Sequence, residues 1–543
     1  MGTQRVSVCQ IDDLSAGEMR QFSAGGMEIL LARLEAGVET GSDTGFTATA
    51  AHCSHYGAPL EKGVMYRKRV ICPWHNACYN LASGAQLQPP GRDNLASYPV
   101  QIASGTVYVE LPDGVDEHVE PLSAAENTDS DSRRFVIVGG GAAGTAAAER
   151  LRQVCFQGEI VVLSADENLP YDRTKLSKAA LQKDELDGPD LLRSPQFYQQ
   201  HNIDIKTSAP VSKIDIKTQQ ISYGDDETLK YDSLLIATGG KVRELPMAGS
   251  GLENVFTIRN VEDTQHILEA AKDAAEVVIV GAGFIGMEAA SSLRQKGLSV
   301  TVVAPNEVPF EKVLGEKVGK LFQQVHESEG VVFKLGSKAE KLKGESKVES
   351  VELDSGEMLP ADLVIVGIGV TPATDFIEGV GLDEDDRSVL VNQYLQAAPN
   401  VYAAGDIAQF PHFITGKPVR IEHWRLAMQH GRTAAENMMG QTVPFEAVPF
   451  FWSGQFDMKL RYVGHSENYD DVVIQGSLND QKFLAFYAEG EQVMAVAGIG
   501  RDRDIAAISE LMRLRKMPAV SDIKSADMDW VEQLSKVNES IAA

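Results

Sequence analysis

Two glycine-rich segments of the same design constrain the fold of this chain more than any other feature. Each segment follows a short apolar strand and opens a predicted helix. Their glycines are Gly139, Gly141 and Gly144 in the first segment and Gly281, Gly283 and Gly286 in the second. Glycines at this spacing permit a tight turn, close approach of a pyrophosphate and close packing of helix on strand. One such segment is a weak signal, but two in the right context predict two Rossmann-like α/β dinucleotide-binding domains.

The strands that follow these segments end differently. Asp166 follows the first, where an acid that binds a ribose belongs, although an ordinary loop acid remains an alternative because Glu167 is adjacent. The second strand ends at Ala304, and Glu307 is the acid within reach of a ribose. No arginine or lysine stands beside Ala304 to receive a 2′-phosphate. The sequence therefore favours NADH only slightly, and the choice between NADH and NADPH stays open.

Ahead of these domains, residues 1–112 read as an all-β domain of short apolar strands and glycine-rich turns. Two of its loops each carry one cysteine and one histidine. The four residues are Cys53 and His55, then Cys72 and His75. A Rieske [2Fe–2S] cluster needs two sulfur ligands on one iron and two imidazoles on the other, so this pairing predicts that cluster. A Cys2His2 zinc site is the alternative, but zinc fingers usually place their two cysteines in one loop and their two histidines in another.

Charge and composition exclude several classes of partner. The chain carries 50 Lys and Arg against 77 Asp and Glu, a net charge of −27, which argues against nucleic acid and anionic membranes. Residues 113–132 hold seven of these acids and no lysine or arginine, which predicts a flexible acidic linker. Of the five cysteines, two belong to the cluster loops and the other three show no framework spacing, which fits a reducing compartment. With no apolar segment of signal-peptide or membrane-helix length, we expect a soluble, cytoplasmic protein.

Five motifs outside the glycine segments carry a family resemblance. They are residues 170–178, 236–240, 401–406, 422–424 and 498–502. With them, the chain from residue 135 to about 500 resembles the FAD-dependent, ferredoxin-reductase-like pyridine nucleotide oxidoreductases. With the Rieske domain in front, it resembles the apoptosis-inducing-factor-like group of Rieske–flavoprotein fusions. The resemblance implies a multidomain chain: a Rieske domain over 1–112, the linker 113–132, an FAD-binding domain over 133–247 and 372–446, an NAD-binding domain over 248–371, and an α+β C-terminal interface domain over 447–543.

The resemblance also implies roles for individual residues. The first glycine segment would bind FAD and the second NAD(H). It implies that Arg173 contacts the nucleotide half of FAD and that Thr238 and Gly405 belong to the FAD-binding motifs. Asp406 would bond the ribityl chain. Trp424 would lie beside the isoalloxazine ring, and residues 449–453 would approach the same ring. Lys178 near the flavin and Glu288 facing the nicotinamide join Trp424 as candidate catalytic residues. The chain has no cysteine between Arg173 and Leu181, so electrons are not expected to leave through a dithiol.

These inferences predict an NAD(P)H-dependent oxidoreductase. NADH would reduce the FAD, the electrons would pass one at a time to the Rieske cluster, and an unknown acceptor would take them through exposed ligand histidines. The alternative is a redox-gated interaction or signalling protein that uses the same cofactors. A Rieske oxygenase is excluded because the sequence lacks the His and carboxylate run for a second, mononuclear iron site.

Overall fold

A computed structural model describes residues 3–35, 38, 44–112, 114, 116–121 and 131–542 of the chain. It contains an all-β N-terminal domain, two α/β domains and a C-terminal domain with a β-sheet and helices. The predicted fold class is therefore confirmed. No helix in the described ranges is long and apolar enough to cross a membrane.

The N-terminal domain is built from small antiparallel sheets. One contains Thr3–Gln10, Thr106–Pro112 and Val100–Ala103; the second Ser97–Tyr98, Phe46–Ala50, Met27–Arg33 and Glu18–Ala24; the third Val64–Tyr66, Arg69–Ile71, Cys78–Asn80 and Gln86–Gln88. Short 3-10 turns lie at Ile11–Asp13 and Leu60–Lys62. The core lies between the first two sheets, and Leu30, Val107 and Val109 are fully buried in it. Strand Thr106–Pro112 buries every second residue, whereas Phe46–Ala50 is buried throughout. The first Cys-His loop follows strand Phe46–Ala50 of the second sheet, and the second connects Arg69–Ile71 with Cys78–Asn80 of the third.

The first α/β domain has a six-stranded sheet. In spatial order its strands are Ile203–Lys206, Glu159–Leu163, Arg134–Val138, Ser233–Ile236, Val401–Ala403 and Gln396–Ala398, the first five parallel. Helix Ala142–Gln153 packs against helix Trp424–Met438 so closely that a Cβ on Gly431 would lie 2.0 Å from the Ala143 carbonyl oxygen. Smaller sheets contain Glu227–Lys230, Gln220–Tyr223, Val211–Asp215 and Ile377–Glu378, then Val389–Leu390, Ala408–Pro411 and Pro418–Val419. Helix Pro195–Gln200 and the 3-10 turns Arg173–Lys175 and Gly405–Ile407 complete this domain.

The second α/β domain is inserted into the first. Strands Gly240–Val242 and Val370–Pro372 pair where the chain leaves and returns. Its parallel sheet runs Val255–Phe256, Leu363–Val366, Glu276–Val280, Ser299–Ala304 and Val332–Leu335, with a small sheet of Ala339–Lys343, Ser350–Leu353 and Met358–Pro360. Its helices are Val261–Ala271, Phe284–Gln295 and Glu311–Ser328, the last kinked at Gly315.

The C-terminal domain packs against both the second α/β domain and the N-terminal domain. Its antiparallel sheet contains Phe450–Gln455, Met458–Gly464, Gln492–Ile499, Lys482–Glu489 and Asp471–Ser477, followed by helices Asp502–Arg513, Val520–Ser525 and Trp530–Ala542. Val64, Ile71 and Cys78 of the N-terminal domain share one hydrophobic cluster with Phe450 and Ile505 of the C-terminal domain. Such a shared apolar core holds two domains together.

The acidic linker prediction falls partly on residues outside the described ranges, including 122–130. Within the described part, His118–Val119 pairs with Asn94–Leu95 of the N-terminal domain. The His118 ring also contacts the His52 carbonyl oxygen at 3.0 Å. This stretch of the acidic segment is thus an added strand of the front domain.

Candidate functional site

The two Cys-His loops bring their side chains together. His55 Nδ1 and His75 Nδ1 lie 3.0 Å apart, so both nitrogens face the same point. The backbone N–H groups of His55 and Tyr56 donate to the Cys53 sulfur. Those of Trp74 and His75 donate to the Cys72 sulfur. Such donors stabilise thiolate ligands and tune cluster potential.

These ligands separate into a nitrogen pair and a sulfur pair. In the described ranges, no three His, Cys, Asp or Glu side chains are placed to hold a single metal ion. A Rieske cluster needs such separate pairs, one on each iron, whereas a zinc site needs four converging ligands. The residues present therefore fit the cluster better than zinc.

Burial sets the charge state of the ligand loops. It lowers the pKa of His55 to about 4 and places the pKa of His75 well below its usual value. Both imidazoles are then neutral, the form that binds metal. Interaction with Cys72 lowers the pKa of the Cys53 thiol despite its burial, whereas burial raises that of Cys72.

The predicted exposure of the ligand histidines is wrong. His75 is only 9% exposed, and His55 is half-buried. The reason is packing between distant segments: Trp452 of the C-terminal domain lies over both rings, with centroid distances of 4.5 Å to His75 and 5.8 Å to His55. On its other side, the His55 ring stacks on Tyr56 at 3.7 Å. The histidines thus face the reductase part of the molecule.

Polar contacts also fix the front domain in this position. Tyr56 donates a short hydrogen bond to Asp172 of the first α/β domain. Arg193 of that domain donates to Asp93 at 2.5 Å and to the Arg92 carbonyl oxygen at 3.0 Å. Arg193 and Asp172 are each 9% exposed, so these contacts lie inside the interface between the domains.

The first glycine segment forms one wall of a cavity of about 490 Å³. Gly139 has φ +115°, and a Cβ there would lie 2.2 Å from the Ala237 carbonyl oxygen. A Cβ on Gly144 would lie 1.9 Å from the Gly139 carbonyl oxygen, whereas one on Gly141 would meet open space. Backbone crowding on one side and an opening on the other are what a bound pyrophosphate at a helix N-terminus requires.

Most residues assigned to FAD line this same cavity. They are Gly139, Gly141, Asp166, Arg173, Thr238, Gly405, Asp406 and Trp424. Asp166 accepts hydrogen bonds from Arg173 Nη2 at 2.8 Å and from the Tyr171 hydroxyl at 2.9 Å. The cavity therefore already has a paired carboxylate at the position expected for the ribose. The FAD assignment of these individual residues stays a prediction that their position supports.

Lys178 and Glu288 form an ion pair at 3.0 Å. Glu288 is 3% exposed and also accepts hydrogen bonds from the hydroxyls of Ser177 at 2.5 Å and Ser453 at 2.7 Å. Ser453 lies beside Trp452 on strand Phe450–Gln455. The ion pair therefore contacts the strand whose Trp452 covers the ligand histidines. Trp424, the third candidate catalytic residue, lies instead in the wall of the 490 Å³ cavity.

The second glycine segment repeats the geometry of the first. Gly281 has φ +113°, a Cβ on Gly286 would lie 2.2 Å from the Gly281 carbonyl oxygen, and one on Gly283 would meet open space. Ala304 at the end of the next strand is buried, whereas Glu307 in the following loop is exposed. The placement suits a second dinucleotide, with Glu307 as the acid accessible to its ribose.

Sequence reasoning missed two residues at these sites. The Tyr79 hydroxyl lies 3.1 Å from Cys53 Sγ and hydrogen-bonds to the Ser54 backbone N–H. Arg259 lines the FAD cavity, where its Nη2 lies 3.4 Å from Asp406 Oδ2 and its carbonyl oxygen accepts from Arg173. Tyr79 stands close enough to Cys72 in sequence for a spacing rule to have found it. Arg259 belongs to no motif and is recognisable only in three dimensions.

Comparisons with known proteins agree with this arrangement. The Rieske [2Fe-2S] domain family matches residues 4–99, the pyridine nucleotide-disulphide oxidoreductase family residues 133–431, and the reductase C-terminal family residues 450–532. Apoptosis-inducing factor 3 of Homo sapiens is 38% identical over 97% of this chain and 88% of its own length. Putidaredoxin reductase CamA of Pseudomonas putida is 33% identical over 67% of this chain and 88% of its own length.

A solved structure shows the same fold for the reductase part. The covalent putidaredoxin reductase–putidaredoxin complex matches with a TM-score of 0.71 and 29% identity, over 75% of this chain and 100% of the matched chain. The matching ranges cover the front domain, both dinucleotide domains and the C-terminal domain in the predicted order. The chain therefore belongs to the pyridine nucleotide-disulphide oxidoreductase family, as an apoptosis-inducing-factor-like flavoprotein with a fused Rieske [2Fe–2S] domain.

Proposed function

We propose that this protein passes electrons from NADH through FAD to its own Rieske cluster and then to an external acceptor. The contact of Trp452 with both ligand histidines carries the proposal. Electron tunnelling falls steeply with distance, and this contact closes the gap between the cluster ligands and the reductase. The relatives named as ferredoxin or rubredoxin reductases support the same direction of transfer.

Contacts connect the ligand histidines with Lys178 and Glu288, the residues that the family resemblance assigns to the flavin and the nicotinamide. Trp452 touches His75, and its neighbour Ser453 hydrogen-bonds to Glu288, which pairs with Lys178. Bound FAD would supply the conversion from a two-electron donor to single electrons. The chain's own contribution is to hold the Lys178 cation beside that chemistry and to keep water from the buried Glu288.

The position of the front domain on the reductase affects the rate at which the cluster can receive electrons. A separate ferredoxin must find its reductase by diffusion, whereas here the ligand loops are already seated on the reductase surface. The hydrogen bond between Tyr56 and Asp172 and the contacts of Arg193 maintain that position. We further propose NADH as the donor and a cytoplasmic location. The exposed Glu307 supports the first, and the second is supported by five cysteines of which none forms a disulfide.

Anaerobic titration of the purified holoprotein with NADH tests the proposal. Flavin absorbance should fall first, and the EPR signal of a reduced Rieske cluster should follow in the same sample. Cys72→Ser should abolish the EPR signal while flavin reduction by NADH remains. Cys9→Ser is the matched control, because Cys9 lies on strand Thr3–Gln10, outside both ligand loops, and its loss should leave both signals unchanged.

The outcomes separate the competing functions. Loss of flavin reduction in Cys72→Ser would contradict modular transfer from flavin to cluster. Rapid steady-state reduction of cytochrome c that requires Cys72 would support the reductase. A slow, long-lived reduced complex without turnover would instead identify a redox-gated interaction protein.

A further inference from the structure

A second large cavity lies away from the flavin and nicotinamide segments. It has a volume of about 380 Å³, within the usual range for small-molecule sites. Three parts of the protein form it: the third sheet of the Rieske domain, helix Trp424–Met438, and helix Asp502–Arg513 of the C-terminal domain. Asn76, directly after the ligand His75, reaches its wall.

The charge of this cavity is opposite to that of the whole chain. Six arginines line it: Arg69, Arg150, Arg425, Arg432, Arg513 and Arg515. Only three glutamates accompany them: Glu436, Glu446 and Glu510. Arg425 is buried and three of the others are half-buried, whereas Arg513 and Arg515 are exposed. In a protein with a net charge of −27, this local excess of guanidinium groups needs a physical reason.

The glutamates are already engaged by other arginines. Glu436 accepts from Arg150 at 2.5 Å, and Glu510 accepts from Arg513 at 2.6 Å. Arg69 Nε also lies 3.2 Å from Glu510, but it makes no hydrogen bond within the described residues.

Two arginines have no carboxylate within salt-bridge distance among the described residues. Arg425 is 3% exposed and donates only to neutral acceptors, including the carbonyl oxygens of Pro89 and Asn76. Arg432 donates to Gln86 Oε1 at 2.5 Å. Burial lowers the pKa of Arg425 to about 9, and it lowers that of Arg432 to about 10 although Glu436 and Glu149 attract its charge. Neither guanidinium charge is fully balanced by its surroundings. A bound anion would remove that penalty.

We propose that this cavity binds a small multivalent oxyanion, a polyphosphate or a polycarboxylate. Guanidinium groups present planar forks of N–H donors that match the oxygens of both classes. One ligand would then contact the three parts of the protein that line the cavity. Binding would therefore stabilise the seating of the Rieske domain on the reductase, through Arg69 on one side and Arg432 on the other.

Calorimetric titration of the holoprotein with tripolyphosphate, and separately with citrate, tests the site in phosphate-free buffer. The probe that binds more tightly identifies the class of anion. Arg432→Gln should weaken that binding at least tenfold. Arg503→Gln is the matched control: Arg503 lies on helix Asp502–Arg513 but outside the cavity, and its loss should change the affinity less than twofold.

A second pair of variants keeps every arginine, so it tests the site even if the protein does not fold without Arg432. Thr433→Glu places a carboxylate on the cavity wall, and Thr433→Gln adds the same bulk without charge. The Glu variant should have the higher Tm without added anion and should lose the binding that the Gln variant retains. Absence of binding by both probes, or equal binding by these two variants, would overturn the proposal and leave the electron-transfer function untouched.

Discussion

Glu149→Gln should loosen the contact between the Rieske and FAD-binding domains more than an ordinary surface substitution does. Glu149, on helix Ala142–Gln153, is 8% exposed and lies between two arginines. Arg92 of the Rieske domain reaches its Oε1 at 3.2 Å, and Arg193 reaches its Oε2 at 3.0 Å. The glutamine keeps the shape but leaves the two guanidinium groups short of one negative charge.

The expected loss of unfolding free energy in Glu149→Gln follows from the burial of this ion pair. Removing one partner of a buried ion pair typically costs about 3–5 kcal/mol, which changes the folded-to-unfolded ratio by about 100-fold or more. The control is Glu159→Gln, whose partner Arg134 lies 2.6 Å away but whose side chains are 49% and 36% exposed. An exposed pair of this kind contributes about 0–1 kcal/mol.

Urea unfolding followed by flavin fluorescence and by visible circular dichroism of the cluster measures both variants. Burial raises the pKa of Glu149, but Arg92 and Arg193 outweigh it and hold the pKa below its usual value. The carboxylate therefore stabilises the fold above the unfolded pKa of about 4.3, and this contribution is lost as pH falls through the lowered folded pKa. The difference in unfolding free energy between wild type and Glu149→Gln should therefore become smaller as the pH falls through that range. If Glu149→Gln lowers the unfolding free energy at pH 7 by no more than Glu159→Gln does, the reasoning is refuted.

Three further substitutions test other parts of the molecule. Trp452→Leu should leave reduction of the flavin by NADH unchanged but slow reduction of the cluster, as stopped-flow absorbance would show; an unchanged cluster rate would exclude Trp452 from the path. Gly286→Ala should raise the KM for NADH about tenfold without loss of FAD, because a Cβ 2.2 Å from a carbonyl oxygen costs about 1–3 kcal/mol. Burial lowers the pKa of His430 to about 3, so the unfolded chain binds a proton below pH 6.5 that the folded one excludes. His430→Gln should then reduce the fall in unfolding free energy between pH 6 and 4 by about 1.4 kcal/mol per pH unit.

Local patterns in the sequence predicted the chemistry well. Glycines whose backbone must approach a phosphate or adopt φ near +115° leave a mark at fixed spacing, and Gly139 and Gly281 both occupy such positions. Metal ligands likewise come from short loops, so Cys53 with His55 and Cys72 with His75 were recognisable as pairs. Each of these features is set by residues a few positions apart.

The relation between the domains depended on residues far apart in the chain. Acidic composition predicted a flexible linker, yet His118–Val119 completes an edge of the Rieske domain, because strand pairing depends on a partner that composition does not reveal. The burial of His75 under Trp452 and the arginine-lined cavity arise in the same way. The sequence therefore predicted which groups bind the cofactors. Packing between separate domains decided how closely these groups approach one another and which charges lie without a close partner.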